Sequence, residues 1–159
     1  MKRLCVLLFI LSVFANANDN RYGSGQVFIG PHIGFSGYSL LSAGVMAGYQ
    51  YYFANDWQFS GFRQGVRGYA NISYAAGSFS VPLYVYGGAD WTLDFNIKDD
   101  LIWGVFAGLG VGYNGPSPAL PLGILAHIGG SLNIQNHHRF DLALGGLFNI
   151  ISLNYLYMF

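Results

Sequence analysis

Few residues in this chain have the chemistry to act on anything. Arg63 and Arg67 are four apart, as are Asp90 and Asp94, a spacing that on an extended chain sets both members of a pair on one face. A hairpin folded about residues 75–82 brings Arg67 opposite Asp90 and Arg63 opposite Asp94. The four are therefore expected to form a ladder of opposed charges, each pair neutralising itself in a confined polar interior. The ladder reads as a structural plug, and the rival reading is a constriction for a small solute.

His32 and His127 share the inward parity of these charges, and Ser131 lies four residues beyond His127. A His–Ser pair suits hydrolytic chemistry, but residues four apart on a strand stand about 13 Å apart, too far to share a proton. The chain contains no glutamate to orient a base. His137 and His138, with Asp141 three residues on, form a weak metal candidate; catalytic sites normally supply three ligands and structural ones four, so a solvated turn is expected instead. Gly108, Gly110 and Gly112 precede the turn Tyr113-Asn114-Gly115-Pro116 rather than the helix a phosphate loop requires. They read as small residues facing inward rings. No catalytic, metal or cofactor site is expected, and the protein is read as non-enzymatic.

Elements that could hold these residues must account for an unusual composition, 53% hydrophobic, 18% aromatic and 9% charged over 159 residues. That is too apolar for an ordinary soluble domain. Lys2 and Arg3 precede the apolar run Leu4–Phe14 and the small-residue pattern Ala15-Asn16-Ala17, so residues 1–17 are expected to be a cleaved signal peptide. Cys5, the sole cysteine, lies in that leader, which leaves residues 18–159 without thiol chemistry. Without Lys2 and Arg3, five basic residues face seven aspartates, a net charge of 5 − 7 = −2. No basic patch is present to attract nucleic acid.

The longest stretch after the leader without a strongly polar residue, Leu101–Tyr113, is too short and too rich in glycine for a spanning helix. It alternates instead, with Leu101, Trp103, Val105, Ala107, Leu109, Val111 and Tyr113 on one parity and mostly glycine on the other. Bulky outside and small inside is the pattern of a membrane barrel strand. The same template gives eight strands, at residues 26–36, 42–53, 63–74, 83–95, 101–114, 124–134, 139–148 and 150–159. The expected fold is thus all-β, an eight-stranded antiparallel up-and-down transmembrane barrel. Pro31 offers no donor to a ladder that has no edge, and a bulge is expected there.

Connections 54–62, 96–100 and 135–138 carry most of the charged loop residues and are placed at the periplasmic end; those at 37–41, 75–82 and 115–123 face outward. Outward-parity rings sort by depth: Tyr51, Phe53, Trp91, Phe95, Trp103, Phe140, Tyr157 and Phe159 near the periplasmic end, and Phe35, Tyr74, Tyr113 and Phe148 near the external one. Such girdles mark the two bilayer interfaces. Phe28, Tyr52, Tyr69, Tyr84, Tyr86 and Phe106 have the opposite parity and are expected to fill the lumen. In the last strand Ile151, Leu153, Tyr155, Tyr157 and Phe159 are apolar at every second position, an ending expected to serve as the export and assembly signal.

Gly65-Val66-Arg67-Gly68-Tyr69, Tyr86-Gly87-Gly88-Ala89-Asp90 leading to Phe95-Asn96, Gly104-Val105-Phe106-Ala107-Gly108, His137-His138 and the ending Asn154-Tyr155-Leu156-Tyr157-Met158-Phe159 resemble the Helicobacter outer-membrane protein family. The resemblance spans roughly residues 60–159. It implies an outer-membrane barrel of the small kind, without the adhesin domain that larger members carry ahead of the barrel. The expected location is the bacterial outer membrane, with lipids and the secretion and barrel-assembly machinery as partners. Alternatives to a structural or surface role are a narrow solute channel and a lipid-modifying outer-membrane enzyme.

Overall fold

The computed structural model describes residues 23–35, 41–54, 62–76, 83–95, 100–114, 122–145 and 149–159. The expected leader, Cys5, Arg21, Lys98, Asp99 and Phe148 lie outside them. Eight strands follow in chain order: β1 (Gly25–Phe35), β2 (Leu41–Tyr52), β3 (Phe62–Ala76), β4 (Leu83–Phe95), β5 (Leu101–Asn114), β6 (Leu122–Ile134), β7 (His138–Leu144) and β8 (Ile151–Met158). Each pairs antiparallel with its sequence neighbours, and β1 pairs with β8 to close the barrel.

Closure is possible because the register slips steadily. The row of paired residues that starts at Gly25 runs through Tyr51, Val66, Trp91, Ala107, Ile128, Leu144 and Ile151 and returns to β1 at Phe35. The displacement is 35 − 25 = 10 residues, and such a stagger obliges the strands to tilt. An eight-stranded barrel of this kind has a bore just wide enough for side chains to fill.

Parity decides which side chains fill it. Outward positions such as Ile72, Leu109, Val111, Ile124 and Ile128 are exposed, whereas Arg63, Arg67, Asp90, Asp94, Arg139 and Asp141 are buried. A soluble protein sorts the other way; only a lipid surround makes this inside-out arrangement favourable. Phe28, Tyr52, Tyr69, Tyr84, Tyr86 and Phe106 are buried in the lumen. Outside, ring pairs such as Phe62–Phe95 and Phe140–Tyr155, with centroids 5.1 and 5.2 Å apart, cluster near the end that holds the C-terminus.

Between β6 and β7 the chain turns over three residues, 135–137, with Gln135 at φ 53° and Asn136 at φ 59°. Positive φ at both positions matches the twist of a hairpin. At the last residue, the Phe159 backbone N–H donates to Val27 O at 2.9 Å. Tyr157 and Phe159 face outward and exposed, and Asn154 faces the lumen.

Pro31 does not form the expected bulge. It pairs in register with Val45, and on its other side the β8 register is the same before and after it, Ile29 to Tyr157 and His32 to Asn154. The ladder omits Gly30 and Pro31 opposite Leu156 and Tyr155. Here a Cβ on Gly30 would strike the Tyr155 carbonyl. Glycine beside proline thus lets the seam close by close approach instead of by insertion.

A closed barrel resists dodecyl sulfate until boiled. Unheated and boiled samples of the chain are expected to migrate differently on a gel; identical migration would rule out the closed ladder.

Candidate functional site

Two glycines in β5 shape the lumen. Asp90 pairs with Gly108, which pairs with His127, and Asp94 pairs with Gly104, which pairs with Ser131. A Cβ on Gly108 would collide with Asp90 Oδ1, and one on Gly104 with Asp94 Oδ1 and Ser131 Oγ. The missing side chains let the β4 carboxylates reach across β5.

The structure brings Arg63 to Asp94, with Nη2 donating to Oδ2 at 3.0 Å, and Arg67 to Asp90, with Nε and Nη2 donating to Oδ2 at 2.9 and 2.5 Å. Both pairs are wholly buried. They do not stand alone. Arg67 Nη1 also donates to Asp141 Oδ2, and Arg139 Nε donates to Asp141 Oδ1 at 2.8 Å while its Nη1 lies 3.7 Å from Asp94 Oδ1. Arg63, Asp94, Arg139, Asp141, Arg67 and Asp90 thereby form one chain of alternating charge across β3, β4 and β7, with net charge 3 − 3 = 0. Inward rings complete it. The Arg63 guanidinium carbon stands 3.8 Å from the Tyr52 ring centre, and that of Arg67 stands 4.8 Å from Phe106, distances that suit cation–π attraction.

His127 ends the chain. Its Nε2 lies 2.9 Å from Asp90 Oδ1, an ion-pair distance with off-line hydrogen-bond geometry. Because Arg67 holds Oδ2, the other carboxylate oxygen is turned to the imidazole. A carboxylate partner requires the proton on Nε2, and in the neutral ring Nδ1 is then the acceptor. Among the described residues, buried His127 Nδ1 and Tyr69 Oη have no hydrogen-bond partner. Both residues line a cavity of about 20 Å³ with Arg67, Asp90, Asn149 and Asn154, room for about one water molecule with several polar partners.

His32 forms a separate cluster. Its Nδ1 is 2.6 Å from Asn154 Oδ1 and its Nε2 is 3.0 Å from Asn149 Nδ2. Asn149 Oδ1 accepts from Ser42 Oγ at 3.0 Å.

Other candidates do not converge. Ser131 lies two lumen positions along β6 from His127, in the row of Gly104 and Asp141. The grouping of His137, His138 and Asp141 is dispersed. Asp141 is in the lumen, His137 stacks on Tyr157, and His138 Nδ1 meets Tyr155 Oη at 2.8 Å. Tyr155, Tyr157 and Phe159 form part of the outward ring cluster at the C-terminal end. Sequence reasoning overlooked the roles of Arg139, Asp141 and the Asp90–His127 contact. The signal was present in Gly108 and Gly104, which are explained by the carboxylates they admit and not only by neighbouring rings.

Replacing Asp90 with Ala leaves His127 without its carboxylate and Arg67 short of one. The variant is expected to lose about 3–5 kcal/mol, the usual cost of breaking a buried pair, read as a lower melting midpoint in detergent. An unchanged midpoint would mean that the network does not support the wall.

No protein-family model matches the chain, and no curated protein matches it. Among solved structures the fold is similar to that of the outer membrane enzyme PagL, at 17% identity and a TM-score of 0.54, covering 82% of this chain and 96% of that one. The expectation of a non-enzymatic protein is corrected by this likeness, because an enzyme shares the architecture. At that identity it is the fold that is shared, and the chain has the fold of an outer-membrane β-barrel.

Proposed function

We propose that the chain is an outer-membrane enzyme of the lipid-modifying kind, an ester hydrolase that uses Asp90 and His127. The observation that carries this reading is the Arg67–Asp90–His127 relay, which ends on an unpartnered imidazole nitrogen beside a water-sized polar cavity. Buried groups are ordinarily partnered, and an acceptor kept free behind an oriented carboxylate is what a general base needs. Similarity of fold to an outer membrane enzyme agrees with the reading without locating a site.

The chemistry follows from the positions. Arg67 fixes Asp90, and Asp90 orients His127 and stabilises the imidazolium when it forms. A water in the cavity attacks the ester carbonyl as its proton passes to Nδ1, and that proton then returns to the departing alkoxide. Tyr69 Oη, unpartnered and lining the same cavity, is placed to donate to the developing oxyanion. Ser131 takes no part, since it lies too far along β6. Delivery is assigned to the leader at residues 1–17 and to assembly machinery reading Tyr155, Tyr157 and Phe159, and kinship with the Helicobacter outer-membrane proteins rests on the strings quoted above.

The test is hydrolysis of a medium-chain p-nitrophenyl ester by the refolded protein. His127→Ala should lower turnover about 10²–10⁴-fold, the usual weight of a general base, while keeping heat-modifiable migration. No turnover above background in the parent, or equal turnover in the variant, would refute the assignment.

A further inference from the structure

On the lipid-facing side of β5 to β8, one position lacks a side chain that it has room for. Gly104, Gly108 and Gly129 are held to glycine because a Cβ on any of them would strike a neighbour, but a Cβ on Gly130 would meet nothing nearer than the Gly104 carbonyl at 3.9 Å. Gly130 is exposed, and Trp103, Leu132, Phe140, Leu142 and Leu153 stand around it. They border a groove of about 310 Å³ in the wall, which continues past Gly130 and Leu142 into a hollow beside Val105, Ala107 and Ile128. At the C-terminal end of the barrel this sector consists of described chain, the 135–137 turn and β8 as far as Phe159. An unfilled hollow forfeits dispersion contacts, and in the lipid belt an acyl chain restores them.

Polar groups stand at the rim end of this groove. His138 shares the outward parity of Phe140 and Leu142 and lies in the row of Ile134 and Tyr157. Its Nδ1 is 2.8 Å from Tyr155 Oη, and its ring lies edge-on to that of Tyr157 with centroids 5.6 Å apart. With the Tyr155 hydroxyl as donor, the neutral His138 ring carries its proton on Nε2. His137 is the reverse case. Its Nδ1 is 3.1 Å from the Met158 carbonyl, which can only accept, so in the neutral ring Nδ1 carries the proton and Nε2 is the acceptor. That ring stacks on Tyr157 at 6.1 Å. Two adjacent histidines thus offer one donor and one acceptor. Among the described residues the exposed charge at this rim is that of Asp100, whose backbone carbonyl accepts from the Gln135 N–H of the same turn. A carboxylate there favours a cation and disfavours a second anion.

We infer that this sector binds one phospholipid with a primary-ammonium headgroup. Its phosphate accepts from His138 Nε2, its ammonium donates to His137 Nε2 beside the Tyr157 ring, and an acyl chain lies along the groove past Gly130. An ammonium at a tyrosine face gains cation–π attraction. The dimensions agree with the occupant. From the His138–Ile134 row to Ile128 is 134 − 128 = 6 residues of strand, about 20 Å. At a tilt of ~40° that is about 15 Å of depth, half of the roughly 30 Å hydrocarbon core. The groove therefore spans one leaflet. An anionic phospholipid lacks the cation and adds a charge of the same sign as Asp100. Asp90 and His127 take no part, so this site stands or falls apart from the hydrolase.

The test is native mass spectrometry of the full chain released from detergent micelles that contain equal amounts of phosphatidylethanolamine and phosphatidylglycerol with the same acyl chains. One discrete adduct is expected, with phosphatidylethanolamine favoured at least fivefold. Gly130→Leu, which fills the hollow, should weaken that adduct at least tenfold. His138→Phe keeps a ring beside Tyr155 and Tyr157 but removes the donor, and should bring the two lipids within twofold of each other. Gly68→Leu is the control, an outward position on β3 where a Cβ meets nothing within 4 Å, and it should leave the adduct as in the parent. Heat-modifiable migration reports that each variant is folded. In the parent protein, absence of a discrete adduct, or phosphatidylglycerol bound as well as phosphatidylethanolamine, would overturn the site; so would an adduct that Gly130→Leu weakens no more than Gly68→Leu does.

Discussion

Everything inside this barrel depends on one buried, electrically neutral network of three arginines and three aspartates. A lipid-surrounded wall must turn its apolar side chains outward, so the bore inherits the polar ones. The tilt that closes the barrel leaves a bore about as wide as the side chains that fill it. A lone charge in such a space would carry a heavy desolvation cost, which alternation of sign avoids. Arg67 is the hub, since it meets both Asp90 and Asp141 and rests on Phe106. Its hold on Asp90 also orients the carboxylate toward His127. The same contact thus supports the wall and sets the orientation on which the proposed hydrolase depends.

Much of the fold could be read from parity alone. Strands alternate so regularly that β4 and β5 agree with the expected residue ranges, and the 75–82 hairpin sets Arg63 and Arg67 opposite Asp94 and Asp90 because local pairing needs only a turn position. The site was less legible because it depends on closure. Asp141 and Arg139 lie 74 and 76 positions from Arg67 and Arg63 in the chain, and only the ten-residue stagger brings β7 across the bore to β3. The Asp90–His127 contact crosses a whole strand, and it is Gly108 that allows it. Pro31 misled for a related reason: its missing donor falls at the β1–β8 seam, where Gly30 accommodates close approach without an inserted residue. His137, His138 and Asp141 looked like neighbours in sequence, yet alternation sends Asp141 inward and His138 outward.

The bore is asymmetric along its length. Toward the C-terminal end the network and its rings pack the interior; on the other side of Arg67 the polar groups surround a water-sized space and include a histidine with a free acceptor. β7 is the shortest strand and stops beside that space. Whether solutes cross such a lumen is the most direct question for the central claim, that the arginine–aspartate network closes the bore and makes it a site instead of a passage. Single-channel recording of the refolded protein in a planar bilayer should show no conductance steps, even at high applied voltage; discrete, reproducible steps from the unaltered chain would contradict the account.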